Sequence, residues 1–479
     1  MFEISFLLAI YYIILNLILP FLAWIMFLWI FFWNKFKGFL LYLFSWFSWV
    51  WVIFFSIFNF QFFHFWVWKI EYFILLILLI IIFSARLKIK WEKIKDYIDS
   101  FKLKFSFSFF KKDFLKLTKI EKVFFSICTI FLVFFVSLSF AHTLSFPNYF
   151  DDSFGNWNTP AMNIFYDGGF KLFWDKTEIL WHGRLGYPIY VPIYKAIITD
   201  FVWYWNDIYS NIFQYFIFLF LVFFTILISY KHTKNLFYAI LPATLITWLP
   251  LVYFHTLEWY LELTSATYAV LTIYSFYKFL EKKDYDFIIL WTLFWIILSH
   301  IKNDWIIVYL PWIICSFLII LLLKKEFVSL FKNLIKKENI YRFLFMIFFL
   351  FLPFLLIKAY YGIWFNQAAW EESAVWIEKI HTEIFPIIKH IFINQDNYNI
   401  VLVFVVLLFV WFFNNKNEKK NNLFILLSFI LTFIIIILVF LLTSNYRFVM
   451  DQTTVNRVFT MIFVILFSFS SYLLAKKHD

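Results

Sequence analysis

Asp286-Phe-Ile-Ile-Leu-Trp-Thr-Leu-Phe-Trp-Ile-Ile-Leu-Ser-His-Ile-Lys-Asn-Asp304 is the stretch that decides how this chain is built. The charged group Glu281-Lys-Lys-Asp-Tyr-Asp286 begins it, and apolar sequence resumes from Trp305 to Leu323 before Lys324-Lys-Glu326. Read as one helix, residues 287–323 would run for about 37 residues, whereas ~20 suffice to cross ~30 Å of hydrocarbon. His300-Ile-Lys-Asn-Asp304 breaks the run midway. The segment therefore crosses twice, as a hairpin, and its two charged flanks lie on one side of a membrane.

The whole chain has that character. Of 479 residues, 64% are hydrophobic, mean hydropathy is +0.82, and the residues include 75 Phe. No soluble domain of this size presents such a composition to water. Phe, Ile, Lys and Asn are abundant together, which points to coding bias more than to a functional code. Cys128 and Cys315 both fall in apolar spans, so neither a disulfide framework nor a thiolate metal site is expected. Residues 4–33 lack a basic leader and a small-residue cleavage site, and they read as a first span rather than a removable signal.

A hydropathy pass gives about thirteen spans. They lie near 4–33, 39–61, 67–85, 123–142, 209–229, 236–254, 262–280, 287–301, 305–323, 343–360, 398–413, 423–443 and 455–475. The expected fold is an all-α polytopic membrane protein. Residues 1–122 form N-terminal spans plus a basic loop, and 123–475 form the main transmembrane unit. Alternate connections hold 30 of the 41 Lys and Arg and 12 of the 30 Asp and Glu, a balance of +18 against −7 for the other side. Basic loops stay cytoplasmic. The expected location is a cytoplasmic (inner) membrane, with the amino terminus outside and the carboxyl terminus in the cytoplasm. The net charge of +11 is thus a topology device. Segment 86–122 interleaves Lys with Phe, Ile and Leu like a membrane-surface stretch, and no nucleic-acid partner is expected.

With sides assigned, many ionisable residues gather on the outer face: Asp151, Asp152, Asp167, His182, Arg184, His255, Glu258, Glu262, Lys302, Asp304, Arg447, Asp451 and Arg457. Several stand at or inside a helix end, where a charge is costly without a partner or a ligand. A single such residue is ordinarily a snorkelling or paired charge; their accumulation on one face is what suggests a site. Asp151 and Asp152 repel one another at the membrane exit, a cost a chain tolerates where a cation is held or a proton taken.

Five short motifs share that face. They are Asp151-Asp-Ser-Phe-Gly-Asn-Trp-Asn158 with its continuation to Gly169, Gly186-Tyr-Pro-Ile-Tyr-Val-Pro-Ile-Tyr-Lys195, Pro250-Leu-Val-Tyr-Phe-His255 with Glu262, His300-Ile-Lys-Asn-Asp304, and Asp451-Gln-Thr-Thr-Val-Asn-Arg457. In order and sidedness they resemble the GT-C superfamily, the polytopic glycosyltransferases that use polyprenyl-phosphate sugars, in particular bacterial mannosyltransferase-like and aminoarabinose-transferase-like members. The resemblance covers roughly 123–475. It departs from the family in about 120 preceding residues, in Asp and Trp after the Lys-Asn pair, and in the lack of a soluble domain after the last span.

The resemblance implies a GT-C-like outer catalytic loop with short amphipathic helices, and a sugar transferred from a polyprenyl-phosphate-linked donor to a lipid, glycan or protein acceptor outside the membrane. It implies Asp151 as general base with Asp152 beside it. Some relatives hold a divalent cation (Mg or Mn) with such acids and others do not, and the two acids leave both open. Lys302 and Arg457 would face the leaving phosphate, with Arg447 and Arg184 as further cations. Glu262, His255 and Asp304 would bind sugar or acceptor. Residues 186–201 and 369–392, too polar to span, read as interfacial helices that wall a lipid groove. The competing classes are a lipid-linked glycan transporter or flippase, which calls for mid-span charges and inverted repeats, and a glycan polymerase or ligase. A non-catalytic relative is the third.

Overall fold

The computed structural model describes residues 113–147, 153–166, 190–202, 204–258, 260–302, 309–325, 336–352, 380–394, 398–414 and 419–475, with the single positions 188, 332 and 355. The expected spans within 1–85 lie outside this range. Every regular element among the described residues is helical.

The centre of the bundle is α7, Leu261–Lys282, numbered with the six helices before it. These are α1 (Lys119–Thr143), α2 (Thr159–Tyr166), α3 (Tyr190–Val202), α4 (Ile212–Thr233), α5 (Leu236–Trp248) and α6 (Pro250–Leu257). Every residue of α7 from Leu261 to Leu280 is buried. Such a helix needs small side chains for close approach and a way to satisfy its hydroxyls. Thr267, Thr272 and Ser275 donate to the carbonyls of Leu263, Tyr268 and Leu271, four residues back, so these three hydroxyls carry no unmet donor into the core. Lys283 closes α7 in the left-handed conformation, φ 58°. The chain reverses at once into α8, Asp286–Ile301, which packs along α7. This antiparallel pair is the hairpin geometry that sets Glu262, at the start of α7, beside Lys302, which follows α8.

Beyond α8 come α9 (Leu310–Leu323), α10 (Lys337–Met346), α11 (Ile384–Lys389), α12 (Asn399–Asn414), α13 (Lys419–Leu442), α14 (Arg447–Met450), α15 (Thr453–Ser468) and α16 (Ser470–Leu474). Side-chain bonds sort them to two ends. At one end Asn235 donates to Glu121 (3.0 Å), Arg342 to Asp286 (2.8 Å), Asn422 to the Tyr472 carbonyl (2.7 Å), and Lys231 lies in electrostatic reach of Lys234, Lys278 and Lys282. At the other, His142 meets the Tyr253 hydroxyl (2.6 Å) and Tyr398 donates to the Asn456 carbonyl (2.8 Å). There too His300 reaches the Leu350 carbonyl (3.0 Å), in the π-helical turn Ile347–Phe351.

Three described helices are long and apolar enough to cross a membrane: Lys119–Thr143, Tyr209–Thr233 and Asn422–Leu442. The α5–α6 pair makes a fourth if taken as one span. Further apolar helices of 10–17 residues accompany them. These helices are compatible with a membrane-embedded protein. Ile120, Val123, Phe124, Ile127, Ile130 and Phe134 of α1 point outward, a face suited to lipid rather than water.

The structure differs from the sequence reading at two places. The expected span 236–254 is bent by 75° between Trp248 and Pro250, because Leu249, preceding a proline, is extended instead of helical. Of the stretch 186–201, expected to lie on the membrane surface, residues 190–201 belong to α3, in which Val191 through Ala196 are all buried. Six consecutive buried positions cover every face of a helix, so α3 is an internal element packed on α2.

Candidate functional site

At the end opposite the lysine-rich one, three separate segments converge on a carboxylate. Glu262 opens α7, where the helix N-terminus favours negative charge. Its Oε1 accepts from Lys302 Nζ at 3.0 Å and lies 3.9 Å from Arg457 Nε. Glu262 is 5% exposed at its side chain, Lys302 15% and Arg457 18%, so the group is largely withdrawn from water. Arg457 sits on the first turns of α15, donates to Thr454 Oγ1 (3.3 Å), and places its guanidinium 4.9 Å from the centre of the Tyr260 ring. Two cations thus share one acid, and an aromatic face holds one of them.

His255 joins this group from the end of α6. Its ring centre is 5.4 Å from that of Tyr260, it is 2% exposed, and its Nε2 has no hydrogen-bond partner. Gln214 on α4 fixes the backbone between them. Its amide donates to the carbonyls of His255 (2.9 Å) and Tyr260 (3.0 Å) and accepts from Thr264 Oγ1 (2.8 Å).

One helical turn before Gln214 begins a second polar group. Lys195 of α3 is 1% exposed and donates to Asn158 Oδ1 and, at 2.8 Å, to Asn211 Oδ1. Asn158 in turn donates to Asp207 Oδ1 (3.2 Å), which also accepts from Trp205 Nε1 (2.7 Å). Asn211 donates to the Asp207 carbonyl at 3.0 Å. Burial holds the Lys195 ammonium well below the usual lysine range, opposed by the nearby negative charges of Asp207 and Glu258. Glu258 is itself buried, at the end of α6.

Of the residues singled out in the sequence, the structure brings together Glu262, Lys302, Arg457 and His255. Arg447 is exposed at the start of α14, and its side chain makes no ion pair with that group among the described residues. Asp151, Asp152, Arg184 and Asp304 lie outside the described residues. The segment that follows Asp152 is described: Ser153 is buried, Phe154–Asn158 is a π-helical turn, and Asn158 is held by Lys195.

Lys195, Asn158, Asp207, Asn211, Gln214 and Tyr260 were not singled out as site residues. The signal for Lys195 was a lone cation ending the apolar run Tyr190-Val-Pro-Ile-Tyr194. The signal for Gln214 was an amide between Phe213 and Tyr215 in an expected span. From the expected interfacial stretch 369–392, residues 369–379 lie outside the described range; in the remainder Ile384 and Ile391 are buried while Ile380 and Phe385 are exposed. Among the described residues no three His, Cys, Asp or Glu are grouped to hold a metal ion.

Comparison with known proteins adds no relative: no protein-family model, no curated protein and no solved structure matches the chain.

Proposed function

We propose that this chain is a polytopic membrane glycosyltransferase that moves a sugar from a polyprenyl-phosphate donor to an extracytoplasmic acceptor. One observation carries the reading. Lys302 and Arg457, from segments far apart in sequence, meet on Glu262 at the end of the bundle where the segment after Asp151 and Asp152 is anchored. In the proposed reaction the acceptor hydroxyl oxygen attacks the anomeric carbon as its proton passes to the Asp151 carboxylate. The bond from the anomeric carbon to the phosphate oxygen breaks, and polyprenyl phosphate leaves with the electron pair.

Lys302 and Arg457 stabilise the negative charge that gathers on the leaving phosphate. Glu262 keeps the two cations close against their mutual repulsion, and the unpartnered Nε2 of His255 offers a hydrogen bond to bound sugar or acceptor. If a divalent cation takes part, Asp151 and Asp152 are the residues that would hold it. The enzyme sits in the cytoplasmic membrane with this end outside and the lysine-rich end inside.

The test is the lipid-linked sugar that accumulates in cells lacking the chain. Accumulation of one polyprenyl-phosphate sugar, reversed by the wild-type gene and not by Asp151→Asn, is the expected result. An unchanged pool of such lipids in the deletion strain, with its glycans intact, contradicts the proposal.

A further inference from the structure

The proposed chemistry needs Asp151 held at a fixed distance from the cation group, yet it leaves a deeply buried cation among the described residues of this end unused. Lys195 lies in an internal helix, 1% exposed, with two neutral carboxamides as its hydrogen-bond acceptors. A chain that needed only to pack α3 against its neighbours had apolar side chains for the purpose, at lower desolvation cost. Buried ionic groups are best attested as devices that set register, and the partners of Lys195 are placed for that.

Asn158 ends the π-helical turn that starts two residues after Asp152. Asn211 immediately precedes α4, whose first turn carries Gln214, and Gln214 holds the backbone of His255 and Tyr260. Asp207 accepts from Asn158 at its carboxylate and from Asn211 at its backbone carbonyl, closing the ring of contacts. The ammonium therefore joins the segment after the acidic pair to the helix that carries the cation group's support.

We infer that Lys195 is a positioning residue: with Asn158 and Asn211 it clamps the segment that follows Asp151 and Asp152 at a set distance from Glu262, Lys302 and Arg457. This rests on the glycosyltransferase reading for its catalytic consequence, and on the contacts alone for the clamp. Misplacement of a reacting group by an ångström costs about a hundredfold in rate, so the clamp acts on turnover rather than on donor binding.

The test uses the full chain in lipid nanodiscs, with Lys195→Met, which keeps the stem and removes the charge, and Asn158→Ala, which keeps Lys195 and cuts one arm. Hydrogen–deuterium exchange is followed in 153–166 and in 262–280, and turnover is normalised to donor-lipid binding sites. The expected result has three parts. Exchange rises in 153–166 and not in 262–280; turnover per site falls between about tenfold and a hundredfold; donor affinity stays within about twofold, the scale of a removed uniform contact being excluded.

The double variant should be no slower than Lys195→Met, since both changes open one clamp. Unchanged exchange in 153–166 for both variants overturns the clamp. Turnover that falls only in step with the number of donor-binding sites overturns the positioning role and leaves Lys195 a folding residue. A wild-type chain that transfers no sugar, or Asp151→Asn with full turnover, overturns the functional reading instead, and the exchange result separates that failure from a failure of the clamp.

Discussion

Lys302 Nζ donates to Glu262 Oε1 at 3.0 Å across forty positions of sequence, closing one end of the antiparallel α7–α8 pair. The contact follows from the hairpin turn at Lys283–Tyr285, which sets the start of one helix beside the end of the other. Arg457 reaches the same oxygen from α15. The pairing is therefore a property of three helices, and its removal should be felt by all three.

Glu262→Gln keeps the shape of the side chain and leaves Lys302 and Arg457 without the carboxylate they share. Breaking a buried ion pair from one side costs about 3–5 kcal/mol, and partial exposure of both cations puts this case at the lower end. A thermal shift of the detergent-purified chain should fall by several degrees, and Glu262→Gln with Lys302→Met should lose less than the two singles together. Additive losses would show that the pair is not coupled.

Gln214→Leu removes the amide that holds the carbonyls of His255 and Tyr260. One buried and one partly buried acceptor lose their donor, at about 1–3 kcal/mol for a buried group left unsatisfied. Thermal stability should drop, and donor binding should weaken because Tyr260 no longer fixes Arg457. Wild-type stability in this variant would remove Gln214 from the account.

Arg457→Lys retains a positive charge and loses both the planar fork and the packing on Tyr260. If Arg457 faces the phosphate of a lipid-linked donor as proposed, donor-lipid affinity should remain well below wild type. Recovery to the wild-type value would show that charge alone suffices and that the stacked geometry is incidental.

Sidedness is tested by cysteines placed in a chain lacking Cys128 and Cys315. Gly155→Cys fits, since nothing lies within 4 Å of a Cβ there. Residues 155 and 450 should react with an impermeant thiol reagent from outside and residue 418 should not. Reaction at 418 from outside, with 155 and 450 silent, would invert the orientation and move the proposed site to the cytoplasm.

What could be read in the sequence was set by hydropathy and charge. The break His300-Ile-Lys-Asn-Asp304 in an overlong apolar run marked the α7–α8 end, and the ionisable residues Glu262, Lys302, Arg457 and His255 could be assigned to one face from loop parity alone. Their contacts could not, because which charges meet depends on how helices pack across the bundle. Lys195 and Gln214 were illegible for a different reason: each sits in an apolar run, where a polar residue carries no sign of its partner. The bend at Pro250 was visible as a proline, yet a hydropathy window measures length and is blind to direction. α3 reads as interfacial because its polar ends and Lys195 hide the fact that Val191–Ala196 is buried on every face.

The central claim is that this end of the bundle transfers a lipid-linked sugar, with Asp151 as the base. It is tested most directly by single-turnover transfer from the polyprenyl-phosphate sugar that accumulates in the deletion strain, using purified wild-type and Asp151→Asn chains with donor binding measured alongside. The expected result is transfer by the wild type and a rate lower by about 10²–10⁴-fold in Asp151→Asn, with donor still bound. Near-normal transfer by Asp151→Asn, or none by the wild type with donor bound, would contradict it.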